Sequence, residues 1–123
     1  MYPRVHAATS PDKPALIMGT SGEVVTYGEL DERSCRLARL FWDAGLRPGD
    51  HVAIFMENHP RYFEVAWAAL RSGLYLTPVS SYLTPDEAAY VVNDCQARAL
   101  VTSVARREVA EQIVPGEGRE VRI

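Results

Sequence analysis

Along the chain, short apolar runs alternate with longer amphipathic ones, and a turn or capping signal marks each change. Ala15-Leu16-Ile17-Met18 and Glu23-Val24-Val25-Thr26 are two such runs, joined by Gly19-Thr20-Ser21-Gly22. They read as an antiparallel hairpin with a glycine-rich turn. Thr26 with Glu29 makes a capping box ahead of Leu30, Ser34, Leu37, Ala38, Phe41 and Ala44, which recur at helical spacing. Gly45 stands where a helix wants a left-handed residue after its last turn, and Pro48-Gly49 forms a turn behind it.

From His51 to Met56 the chain is mostly apolar with little alternation, the mark of a strand covered on both faces. Asn58-His59-Pro60 is expected to open the next helix, with Pro60 in its first position and Asn58 or His59 as the cap. Tyr62, Phe63, Val65, Ala66, Trp67, Ala69 and Leu70 make that helix apolar almost all round, so it is expected to be well buried, and Gly73 ends it. A strand is expected over Leu74 to Val79. Thr84-Pro85-Asp86-Glu87 then repeats the helix-start signal, with Ala88, Val91, Val92 and Cys95 as the inner stripe. Arg98 to Thr102 reads as a strand. Ser103 is expected to cap a weaker helix reaching Ile113, and Glu120 to Ile123 resembles the start of another strand.

Strands therefore alternate with helices at the spacing of right-handed crossovers. The predicted fold class is α/β: a mostly parallel sheet with helices on both faces, preceded by a small antiparallel hairpin. The 123 residues suffice for one domain and are too few for two, and no internal boundary, repeat or low-complexity tract appears. The hydrophobic fraction of 47% and charged fraction of 24% are ordinary for a globular chain. Net charge is −3 with the basic residues scattered, so no footprint for nucleic acid or an anionic membrane is present. Val65 to Leu70 is the longest unbroken apolar run, far short of a bilayer span, and the opening residues lack the apolar core of a signal peptide. Cys35 and Cys95 match no metal or redox spacing; both are expected to be buried, reduced thiols of a cytoplasmic protein.

Candidate chemistry is sparse. Gly19 to Gly22 is the one glycine-rich segment, but a strand follows it rather than the helix N-terminus that a phosphate loop requires. His6, His51 and His59 lack metal-binding spacing, and Asp31, Glu32, Asp86 and Glu87 fall at helix starts, where they complement the dipole. No catalytic residue and no metal ligand is assigned. In parallel sheets, ligands bind beyond the carboxyl ends of strands. That rule selects two loops, Glu57-Asn58-His59 and Ser80-Ser81-Tyr82, with Asn58, His59, Ser80 and Ser81 as the candidate binding residues.

The ordered set of motifs resembles the adenylate-forming, AMP-binding superfamily, and within it the acyl-CoA synthetases. Pro11-Asp12-Lys13-Pro14-Ala15-Leu16 is similar to the family's opening segment. Val25-Thr26-Tyr27-Gly28-Glu29-Leu30 resembles its first core motif, and Gly45-Leu46-Arg47-Pro48-Gly49-Asp50-His51-Val52-Ala53 its glycine turn and strand. Ala69-Leu70-Arg71-Ser72-Gly73 and Leu74-Tyr75-Leu76-Thr77-Pro78-Val79 resemble the next helix and the second core motif. Leu83-Thr84-Pro85-Asp86-Glu87, Tyr90 and Asn93-Asp94 resemble the helix after it. Ser80-Ser81-Tyr82-Leu83-Thr84 is closer to acyl-CoA ligases than to peptide-synthetase adenylation domains.

The resemblance implies that residues 1–123 are an incomplete N-terminal subdomain of such a ligase. The whole enzyme would use ATP, Mg2+ and coenzyme A to convert a carboxylic acid, a fatty acid for example, first to its acyl-adenylate and then to its thioester. The family's phosphate loop ending in Pro-Lys-Gly, its Thr-Glu pair, its ribose-binding Asp and its adenylation Lys have no counterpart here, so none of their roles transfers to this chain. The chain alone is therefore expected to be inactive, to bind none of these cofactors tightly, and to self-associate or pair with the remainder of the enzyme. Two alternatives stay open: a peptide-synthetase adenylation branch, and a non-catalytic α/β binding or interaction module.

Overall fold

In a computed structural model that describes residues 2–113, the parallel α/β core is present as expected. The elements are α1 (Pro3–Thr9), β1 (Pro14–Ile17), β2 (Val24–Thr26), α2 (Tyr27–Asp43), β3 (His51–Phe55), α3 (Tyr62–Arg71), β4 (Tyr75–Val79), α4 (Pro85–Asp94) and β5 (Ala97–Thr102). A 3-10 turn (Val104–Arg106) and α5 (Arg107–Glu111) follow. β1 and β2 form the antiparallel pair, and β4-β3-β5 form a parallel sheet in that order. The expected strand at Glu120 to Ile123 lies outside the described residues.

β3 is the centre of the fold, and alternation along it divides the core in two. Val52, Ile54 and Met56 face α2 and α3, where they meet Phe41, Val65, Ala68 and Ala69. Ala53 and Phe55 face the other way, against Ala88 and Val92 of α4 and Ala110 of α5. Burial on both faces explains the continuous apolar run. Pro78 fits because β4 is an edge strand among the described residues, where a missing N–H is tolerated.

Both capping boxes form. Thr26 Oγ1 accepts from the Glu29 N–H at 3.2 Å while the Glu29 carboxylate accepts from the Thr26 N–H at 3.0 Å. Thr84 and Glu87 repeat this at 3.3 and 2.9 Å. Two further N–H groups of the first turn of α2 are satisfied from outside it: Tyr27 donates to Lys13 O and Gly28 to Pro11 O. Gly28 permits that approach, since a Cβ there would stand 3.2 Å from Pro11 O. At the other end, Gly45 takes φ +94. Thr26→Ala and Thr84→Ala are each expected to destabilise the fold by about 1 kcal/mol. A urea titration with unmoved midpoints would contradict the role given to these caps.

The structure departs from the sequence reading in several places. α1 was not foreseen: seven residues without apolar periodicity carry no helical signal. Tertiary contacts hold it instead, through buried Pro3, a Tyr2–Trp67 edge contact and a His6–Tyr27 ring contact. α3 begins at Tyr62 rather than at Pro60. The Tyr62 N–H bonds to His59 O and the Arg61 N–H to His59 Nδ1, so a tight turn occupies the place of the first helical turn. α3 is also less buried than its composition implies. Phe63 and Leu70 are about half exposed, while Glu64 is buried beside Arg33 at 3.3 Å. Cys35 is exposed and Cys95 half-buried; both are free thiols. Cys35 lies one position off the buried stripe of Leu30, Ser34 and Phe41, which is why burial fails there. Ser103 makes no capping bond, and a 3-10 turn replaces the first part of the helix expected to follow it.

Candidate functional site: a crevice where the sheet changes direction

Connections leaving β3 and β5 diverge. α3 turns onto one face of the sheet, and the 3-10 turn and α5 onto the other. Such a divergence between neighbouring parallel strands opens a crevice beyond their carboxyl ends. Here it has a volume of about 510 Å3, with Glu57, His59 and Arg61 on the β3 side and Thr102, Ser103 and Val104 on the β5 side.

Side-chain bonds tie its walls together. Thr102 Oγ1 donates to Phe55 O at 2.7 Å, and Ser103 Oγ donates to Glu57 Oε2 at 2.6 Å. The Ser103 hydrogen bond holds the Glu57 carboxyl below its ordinary range, and the Arg106 charge acts in the same direction. Glu57 therefore stays ionised at neutral pH. Since its folded-state value is lowered, its contribution to stability is present above the ordinary carboxylate range and is lost as pH falls through the lowered value. Ser103→Ala is expected to raise the Glu57 titration toward the ordinary range. An unmoved Glu57 carboxyl resonance in an NMR pH titration would exclude Ser103 as the cause. His59 Nδ1 accepts from the Arg61 N–H at 3.1 Å, which leaves Nε2 as the donor of the neutral ring. The Arg106 Nε is buried without a hydrogen-bond partner among the described residues.

Of the four sequence candidates, His59 lines this crevice, and Asn58 is exposed beside it on the same connection. Ser80 and Ser81 follow β4, on the other side of β3 from the crevice. There Ser80 serves the turn into α4: its hydroxyl accepts from the Tyr82 N–H and its carbonyl from the Leu83 N–H. The two loops are thus not one site. Ser103 and Glu57 are the pair that pattern reading missed as a unit. The available signal was a polar residue at the carboxyl end of each of two strands, and which strands are neighbours is not written in their sequence order.

A parallel α/β unit with its crevice at the strand ends is common to many nucleotide- and acyl-handling enzymes. The comparisons narrow it: the AMP-binding enzyme family model matches residues 4–122, and the chain belongs to that family. Crotonobetaine/carnitine–CoA ligase of Proteus mirabilis is 36% identical over 94 residues, covering 74% of this chain and 18% of the relative. The enzyme of the same name from Escherichia fergusonii is 33% identical over 113 residues, covering 89% and 22%. The chain thus spans about a fifth of the length of these curated relatives. Among solved structures, a protein described as a long-chain-fatty-acid CoA ligase from Rhodopseudomonas palustris superposes with TM-score 0.85 at 28% identity, over 98% of this chain and 31% of that one. A Mycobacterium tuberculosis fatty acyl CoA synthetase shares the fold, with TM-score 0.87 at 21% identity over 98% and 25%.

Proposed function

We propose that this chain is the N-terminal portion of an ATP-dependent carboxylic acid–CoA ligase and that it supplies scaffold rather than catalytic groups. The observation that carries the reading is the family match over residues 4–122, together with CoA ligase relatives of 33–36% identity. Those relatives also favour the acyl-CoA branch over peptide-synthetase adenylation domains. In the whole enzyme a carboxylate oxygen attacks the α-phosphorus of ATP and pyrophosphate leaves. The thiol of coenzyme A then attacks the acyl carbon and AMP leaves.

The residues present do not fit a nucleotide triphosphate with its Mg2+. The crevice sets an ionised carboxylate, Glu57, beside the donors His59 and Arg61, and its described lining has neither the glycine-rich loop nor the helix N-terminus that cradles phosphates. Gly19 to Gly22 leads into β2, so no helix N-terminus faces an anion there. No step of the reaction is therefore assigned to residues of this chain. What it contributes, among the described residues, is the three-stranded sheet and the ends of β3 and β5.

Purified alone, the chain is expected to give no acid-dependent exchange of pyrophosphate into ATP and no acyl-CoA. A chimera in which residues 1–123 replace the matched opening of the Proteus ligase is expected to do both with that enzyme's acids. Robust exchange by the chain alone would overturn the scaffold assignment. A folded chimera that makes acyl-adenylate but never thioester would overturn the CoA-ligase branch.

A further inference from the structure

Between α1, α2 and α3 lies an open pocket of about 330 Å3, with Tyr2, Arg4, Ser34, Trp67, Leu70 and Arg71 in its lining. It shares no lining residue with the crevice beyond β3 and β5. Its volume is at the lower end of small-molecule sites, which suits a small ligand rather than a polypeptide segment. One wall is aromatic. Trp67 is half-buried, and the Tyr2 ring meets it edge-on with centroids 5.7 Å apart. Leu70 on α3 is half exposed and extends the apolar surface.

The other wall is cationic. A guanidinium has five N–H donors in one plane. Three of those of Arg71 go to α2: Nη1 donates to Asp31 O and to Ser34 Oγ, and Nη2 to Asp31 Oδ1. Nε–H and the second Nη2–H make no hydrogen bond among the described residues. Nε–H and one Nη2–H lie along a single edge of the group, at the spacing of the two oxygens of a carboxylate. The bonds to α2 hold that edge in place, so little side-chain freedom is lost when a ligand meets it. Arg4 is exposed on α1, lines the same pocket and makes no ion pair among the described residues.

The charge balance selects the ligand. Asp31 already offsets Arg71 at 3.0 Å. Arg4 then leaves one positive charge, which a carboxylate neutralises and a phosphate monoester exceeds. We propose that this pocket binds a small aromatic monocarboxylate, its oxygens on the open edge of Arg71 with Arg4 beside them and its ring against Trp67. The site is separate from the adenylation chemistry and does not rest on the ligase reading.

The test is an NMR titration of the full chain with phenylacetate that follows the Arg71 Nε–H and the Trp67 indole N–H. Both resonances are expected to shift together and to saturate. Phenylacetamide, the neutral isostere, is expected to bind about tenfold more weakly, and phenyl phosphate no more tightly than the acid. Arg4→Glu removes no hydrogen bond or ion pair seen among the described residues, so it is expected to leave the fold intact and weaken binding by about tenfold. Arg71→Lys keeps the charge without the planar edge and is expected to abolish saturable binding. Should that variant fail to fold, the acid–amide comparison and Arg4→Glu still decide the matter. Absence of a saturable shift at both resonances up to about 20 mM phenylacetate would overturn the site. So would equal binding of acid and amide, tighter binding of phenyl phosphate, or unchanged affinity in a folded Arg4→Glu chain. Shifts centred on Glu57 and His59 instead would assign the acid to the crevice and overturn the proposal as well.

Discussion

Phe55→Ala is expected to cost about 4 kcal/mol, close to the whole stability of a small domain. Phe55 has no exposed surface, occupies the central strand, and fills the space between the sheet and α4 against Val79, Ala88 and Val92. Truncation removes the transfer free energy of the ring and leaves a cavity that neighbours on a hydrogen-bonded strand cannot readily close. Those three neighbours are two valines and an alanine, short side chains that can reach little of the gap. The comparison is Phe63→Ala on α3, where the ring is 48% exposed and about 1 kcal/mol or less is expected. Urea midpoints of the two variants should therefore separate widely. Equal, small shifts would mean that the face of the sheet against α4 is not a packed core.

The same two phenylalanines show what pattern reading can and cannot extract. Phe55 lies in a mostly apolar run with little alternation, which at this length and between turn signals reads as a strand covered on both faces. Phe63 lies in a helix that is apolar almost all round, where composition implies burial and only packing decides which residues are covered. α1 takes little of that outer surface, and Phe63 and Leu70 stay half exposed. Local signals were legible for the same reason. The Thr-x-x-Glu caps at Thr26 and Thr84 are self-contained within four residues, and both form.

The start of α3 was misplaced because Pro60 fits a first helical turn and the tight turn bonded to His59 equally well. The choice between them is made by bonds to His59 that no spacing rule contains. The crevice was half legible: strand ends were named from the chain order, and His59 was among them. Pairing it with Ser103 rather than with Ser80 required the order β4-β3-β5, which depends on crossover direction and not on sequence proximity.

Arg71→Ala is expected to destabilise the chain by about 2–3 kcal/mol, because one guanidinium joins the end of α3 to the middle of α2. Its Nη1 donates to Asp31 O at 3.1 Å and to Ser34 Oγ at 2.9 Å, and its Nη2 to Asp31 Oδ1 at 3.0 Å. Ser34 is fully buried and its hydroxyl donates to Asp31 O at 3.0 Å, so removing Arg71 takes away the donor to the Ser34 oxygen while that bond remains. Asp31 and Arg71 keep only 24% and 21% side-chain exposure, which spares the pair most of the screening that weakens surface bridges. Arg71→Lys keeps the charge but supplies a point donor in place of a planar fork. It should recover less than half of the loss, since one ammonium cannot reach Ser34 and Asp31 Oδ1 in the same geometry. Cys35→Ala should cost little, the thiol being exposed and a weak acceptor. The decisive measurement is a double-mutant cycle of Arg71→Ala with Asp31→Asn, for which a coupling of about 1–2 kcal/mol is expected. If the two single effects simply add, the bridge contributes nothing. α2 and α3 would then be held together by the Arg33–Glu64 pair and by the apolar contacts of Phe41 and Val65 with the sheet.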